Sequence, residues 1–123
     1  MKSSKQSWRN MADNKFLRLL GIAAKAGKLT YGGSLVRAKI QGRQKPSLVI
    51  ISSDSSDNTQ KRIKNCCSYY KCKFIVVSES SDTLGAKTGR EGPISCIAVN
   101  DDGFATAMEK ALDVTSPEVD QNS

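Results

Sequence analysis

Leu48-Val-Ile-Ile51, closed by Ser52-Ser-Asp-Ser-Ser-Asp57, is the stretch on which the fold turns. Four apolar residues in a row, two of them isoleucine and one valine, show no alternation between a wet and a dry face, so they predict a strand covered on both sides. The Ser/Asp run after them supplies turn and N-cap residues for a helix. Working outward, Phe74-Ile-Val-Val77 repeats the apolar strand pattern and Ile94-Ser-Cys-Ile-Ala-Val99 gives another strand, while Leu29 to Tyr31 is a strand stub.

Helical spacing fills the gaps. Phe16, Leu17, Leu19, Leu20, Ile22, Ala23 and Ala24 recur at helical positions between Asp13 and Ala26, and Gly27 is placed to stop that helix. A second helix is predicted from Gly33 to Gln41, with Leu35, Val36 and Ile40 as its apolar face. A third runs from about Ser56 to Lys71, with Ile63, Cys66, Cys67 and Tyr70 inward. A short one containing Leu84 is capped by Ser80, Ser81 or Asp82 and interrupted by Gly85 and Gly89. A last one spans about Gly103 to Leu112 behind Asp101 or Asp102. Such alternation predicts an α/β fold, an α-β-α sandwich of three layers on a mixed sheet of about four strands. One domain, 13–113, is expected between a flexible leader, 1–12, and a disordered acidic tail, 114–123.

Charge narrows the partner. The net charge is +7, and residues 1–100 hold 18 Lys/Arg against 6 Asp/Glu, whereas residues 101–123 hold 1 against 6. A basic body suggests a polyanion, and nucleic acid is the favoured one. With 38% apolar content and no apolar run near the roughly 20 residues of a membrane span, a soluble cytoplasmic chain is expected.

Catalytic signatures are lacking. Without histidine, Ser–His and Cys–His nucleophiles are excluded. No Walker A sequence and no Gly-x-Gly-x-x-Gly after a strand occurs. Asp54 and Asp57 are a close carboxylate pair, but in a Ser-Asp-Ser-Ser-Asp setting they read as caps before they read as magnesium ligands. Cys66, Cys67, Cys72 and Cys96 lack a CxxC hairpin, so neither zinc nor another cofactor is expected.

A ligand site is offered by Lys28-Leu-Thr-Tyr-Gly-Gly-Ser-Leu-Val-Arg-Ala-Lys39. Gly32 and Gly33 open a helix, Ser34 can cap it, and the amides of a first helical turn favour an anion. Lys28, Arg37 and Lys39 flank this turn.

Taken together, Gly21-x-Ala-x-Lys-Ala-Gly-Lys28, Gly32, Leu48-Val-Ile-Ile-x-x-x-Asp, Cys67-x-Tyr-Tyr, Leu84-Gly-x-x-x-Gly89, Ile97-Ala-Val99 and Asp-x-Gly-Phe-Ala105 resemble the ribosomal L7Ae family of kink-turn RNA-binding proteins, most closely its bacterial YlxQ-like branch. The resemblance spans about Asn14 to Leu112. It implies a three-layer sandwich and a non-catalytic protein whose partner is structured RNA or ribosomal RNA, on the ribosome or off it, acting as a monomer. It also implies two RNA-facing loops, one at Gly32, Gly33, Ser34 and Leu35 and one at Arg90, Glu91, Gly92 and Pro93. In the family the first loop carries Gly-x-Asn-Glu, which reads sheared G·A pairs. Here Ser34 and Leu35 replace the Asn and Glu, and a leucine accepts no hydrogen bond from guanine. A protein-interaction or regulatory module on the same fold is the alternative, and a substrate-binding piece of an RNA methyltransferase a third reading.

Overall fold

The computed structural model describes residues 15–115. The leader at 1–12 lies outside them. Helix α1 occupies residues 15–25, and the chain then alternates as β1 (Leu29–Tyr31), α2 (Gly33–Gln41), β2 (Leu48–Ile51), α3 (Asp57–Tyr70), β3 (Phe74–Val76), α4 (Ser81–Lys87), β4 (Cys96–Val99) and α5 (Asp102–Thr115). The last helix continues two residues into the stretch expected as a tail, whose remainder falls outside the described residues.

The sheet has the order β1-β4-β2-β3. β2 and β3 are parallel, joined by the α3 crossover, while β4 runs antiparallel to both β1 and β2. All four residues of β2 and of β4 are buried because both faces are covered. Leu48, Ile50, Ile97 and Val99 meet Phe16, Leu20, Leu84 and Met108 from α1, α4 and α5. Val49, Ile51, Cys96 and Ala98 meet Val36, Ile40, Ile63 and Cys67 from α2 and α3. Burial of each such aliphatic side chain contributes about 1.5–3 kcal/mol, which makes these two strands the centre of the sandwich.

Local chemistry sets the helix ends. Gly27, at φ 72°, stops α1 in the left-handed region while Lys28 N donates to Ala23 O. Ser56 and Ser80 accept from the amides of Thr59 and Thr83, and Asp101 accepts from Phe104. Asp54 accepts from both the amide and the hydroxyl of Ser81, at 2.9 and 3.1 Å. The Ser81 amide foremost holds the Asp54 carboxyl below the usual range, so this carboxylate anchors the start of α4.

Three expectations change. β3 repeats the composition of β2 but is an edge strand, with Phe74 and Val76 exposed and outside the core cluster that α2 and α3 build. Leu35 is 63% exposed, so the buried face of α2 is Val36 and Ile40 alone. Gly85 does not interrupt α4 but lies buried within it. A Cβ there would come closer than 3.0 Å to the Gly92 carbonyl oxygen, so glycine is what lets the following loop fold back onto the helix.

Candidate nucleic-acid interface

Two loops meet at one end of the sandwich, and β4 is the element that brings them together. Cys96 begins β4, directly after the loop that follows α4, and its carbonyl accepts from Gly32 N at 3.1 Å. The start of α2 is thereby tied to the end of the 88–93 loop.

Gly32 is the N-cap of α2, at φ 92° and ψ 149°, a conformation that is essentially restricted to glycine. A Cβ at this position would meet nothing within 4 Å, so the demand for glycine is conformational and not steric. Ser34 does not cap the helix: it sits exposed inside the first turn, and no side chain closes that turn. The first intrahelical bond is Val36 N to Gly32 O, at 2.9 Å. By helix geometry the amides of Gly33, Ser34 and Leu35 precede it and point out of the helix start, where the dipole favours an anion.

The opposing loop is bent by Gly89 at φ 77° and Gly92 at φ 89°. Arg90 N donates to Gly85 O at 2.9 Å and Ile94 N to Ser81 O at 3.0 Å, which folds the loop along α4. The Arg90 guanidinium lies over the Tyr31 ring, 4.4 Å from its centroid. Burial pushes the Tyr31 phenol up, against the lowering effects of Arg90 and of a hydrogen bond with Thr88. Tyr31, at the end of β1 directly before Gly32, thus carries a ring that touches the 88–93 loop.

This geometry sorts the residues singled out from sequence. Gly32, Gly33, Ser34 and Leu35 share one end of the domain with Arg90, Glu91, Gly92 and Pro93, all exposed except the half-buried Gly32 and Gly33. Arg37 is one turn further along α2 and close enough to Cys96 to lower its thiol pKa against the dominant effect of burial. Lys28 stands at the other end of β1, where its carbonyl accepts from Asn100 N. Four residues of extended chain place it about 13 Å from Gly32. Lys39 lines a hollow with Gly42 and Arg43 at the far end of α2. Tyr31 and Thr88 went unread. The signal for Tyr31 was an aromatic residue directly before a Gly-Gly turn.

The cysteines gather on the α2–α3 side of the sheet. Cys66, Cys67 and Cys96 are buried free thiols and Cys72 is half-buried, and burial, then the neighbouring cysteines, push the Cys67 thiol up to about 12. No group of three His, Cys, Asp or Glu suited to a metal occurs among the described residues. No described helix is long and apolar enough to cross a membrane.

Residues 14–109 match the Ribosomal protein L7Ae/L30e/S12e/Gadd45 family. The chain belongs to this family. RNA-binding protein YlxQ of Bacillus subtilis (strain 168) is 36% identical over 103 residues, covering 84% of this chain and 100% of that protein. Its namesake from Enterococcus faecium is 33% identical over 100 residues, covering 80% and 92%. Among solved structures, a protein with unknown function from Bacillus halodurans C superposes with a TM-score of 0.74 at 34% identity, covering 80% of this chain and 97% of that one. The Giardia lamblia 15.5kD RNA binding protein gives 0.68 at 16% identity, covering 87% and 89%, which establishes a shared fold.

Proposed function

We propose that the protein binds structured RNA, ribosomal RNA included, at the end of the sandwich where the start of α2 meets the 88–93 loop, without catalysis. The observation that supports this best is the convergence of outward-facing amides at Gly33 to Leu35 with the Arg90 guanidinium held on Tyr31. Amides at a helix start and a cation suit phosphate oxygens, and shape with phosphate is how most structured RNA is held. The YlxQ relatives are named as RNA-binding proteins, which favours RNA over other polyanions.

Leu35 limits the specificity. It projects into solvent where the kink-turn binders of the resemblance carry a glutamate, and it offers no acceptor to a sheared G·A pair. Recognition therefore rests on backbone and charge, with weak preference for a kink-turn. The same exposed leucine favours a second reading, a contact for a protein partner on this end of the fold.

Fluorescence anisotropy with a kink-turn hairpin and a plain duplex of equal length, at about 50 and 200 mM salt, separates the readings. Three or more phosphate contacts should cut affinity at least ~10-fold over that range. Preference for the kink-turn should stay below about 100-fold, near 2.8 kcal/mol. Affinity that ignores salt would sink the RNA reading and leave the protein contact standing.

A further inference from the structure

Next to the interface, α1 and the end of α4 enclose a groove of about 510 Å³, within the size range of small-molecule sites. Its rim carries Arg18 and Lys25 from α1 and Lys87 from α4, and its floor is apolar, formed by Leu17 and by Ile22, which is 48% exposed. No carboxylate lines it among the described residues. The ion pair of Lys73 with Glu109 lies elsewhere. The two helices come close at Gly21: a Cβ there would sit 3.3 Å from the Lys87 carbonyl oxygen. The groove is continuous with the interface, because Thr88 and Gly89 line it and belong to the same loop as Arg90.

We propose that this groove holds a single-stranded segment of RNA that flanks the structured element, an inference that rests on the RNA-binding reading above. Arg18, Lys25 and Lys87 take successive phosphates, and an unstacked base lies on Leu17 and Ile22. A cationic channel with an apolar face is what unpaired nucleic acid requires, since each nucleotide presents both an anion and a flat apolar surface. A duplex does not fit the description, as its bases turn inward and leave the floor uncovered.

The test uses three fluorescein-labelled RNAs: one kink-turn hairpin with blunt ends, the same hairpin with a short 5′ uridine extension, and the same with a 3′ extension. Three single-strand phosphate contacts steepen the dependence of log affinity on log salt by about 2, so one of the extended RNAs should lose on the order of 20-fold more affinity than the blunt hairpin between about 50 and 200 mM salt. In the Arg18→Gln/Lys25→Gln/Lys87→Gln protein that excess should vanish while blunt-hairpin binding persists. Ile22→Glu, a single change at an exposed position, should likewise abolish the gain and serves if the triple variant does not fold by circular dichroism. Equal salt slopes for all three RNAs on the wild type, with the blunt hairpin bound, would overturn this proposal alone. An excess slope that survives both variants would also overturn it, and failure to bind any of the three would take the RNA reading down with it.

Discussion

Gly85→Ala sets two physical effects against each other, and the structure decides which prevails. On an open helix surface the change stabilises by about 1 kcal/mol, since alanine loses less backbone freedom than glycine. At Gly85 the new Cβ would fall below 3.0 Å from the Gly92 carbonyl oxygen, 3.3 Å from the carbon of that carbonyl and 3.6 Å from Ile94 Cγ1. Gly92 is itself fixed at φ 89°, and a backbone carbonyl has no rotamer by which to step aside. Overpacking costs about 1–3 kcal/mol, here toward the upper end, so the net effect is a loss of roughly 1–2 kcal/mol. For a domain of this size that lowers Tm by roughly 5–15 °C. Because relief of the overlap moves the 88–93 loop, affinity for the kink-turn hairpin should fall as well, at temperatures where the variant is fully folded. Urea denaturation gives the first quantity and anisotropy the second. A stabilised variant, or one that is destabilised yet binds RNA as the wild type does, would refute the close approach of loop and helix.

Tyr31→Leu and Arg90→Ala should weaken RNA binding non-additively, with a coupling of about 0.5–1 kcal/mol, and Tyr31→Phe should retain the coupling because the ring face is kept. Additive losses in a double-mutant cycle would show that the stacked arginine owes nothing to the tyrosine. Ser34→Asn combined with Leu35→Glu should raise affinity for a kink-turn and leave a plain duplex unaffected or weaker, since the added carboxylate repels phosphate; an equal gain on both RNAs would contradict the account of Leu35. Cys67 titrates near 12 in the fold against about 9 when unfolded, so its contribution is fully present below pH 9 and is lost as pH rises toward 12. Stability of the wild type should therefore fall above pH 9 by up to ~1.4 kcal/mol per pH unit more than that of Cys67→Ala, and matching alkaline profiles would rule this out.

The fold was legible because its centre is written locally. Leu48 to Ile51 and Ile97 to Val99 are apolar on both faces, and Ser56, Ser80, Asp101 and Gly27 mark helix ends by chemistry that depends on a few neighbouring residues. What went unread depends on neighbours distant in sequence. Phe74 to Val76 looks like Leu48 to Ile51, and composition carries no information on which strand lies at the edge. Leu35 precedes Val36 by about 100° around the helix, enough to turn it from core to solvent while a count of apolar spacing still includes it. Gly85 reads as a helix breaker because the carbonyl that requires it is seven residues away. Lys28 reads as a neighbour of Gly32, yet β1 is extended and carries the two apart.

The interface follows from this division between strand and loop. β4 and β2 are pinned on both faces, so the ends of β1 and β4 are fixed points, and the loops that spring from them are tied back by bonds that include Gly32 N to Cys96 O, Arg90 N to Gly85 O, Ile94 N to Ser81 O and the Tyr31–Arg90 stack. Positive φ at Gly32, Gly89 and Gly92 means that the backbone itself, more than any one side chain, shapes this end of the molecule. A surface of that kind presents amides whatever occupies positions 34 and 35, so on the proposed reading Ser34 and Leu35 give up base contacts while the backbone still suits an anion. On the proposed reading, specificity on such a scaffold comes from the shape of the RNA and from what lies beside the two loops, and the basic groove between α1 and α4 adjoins them.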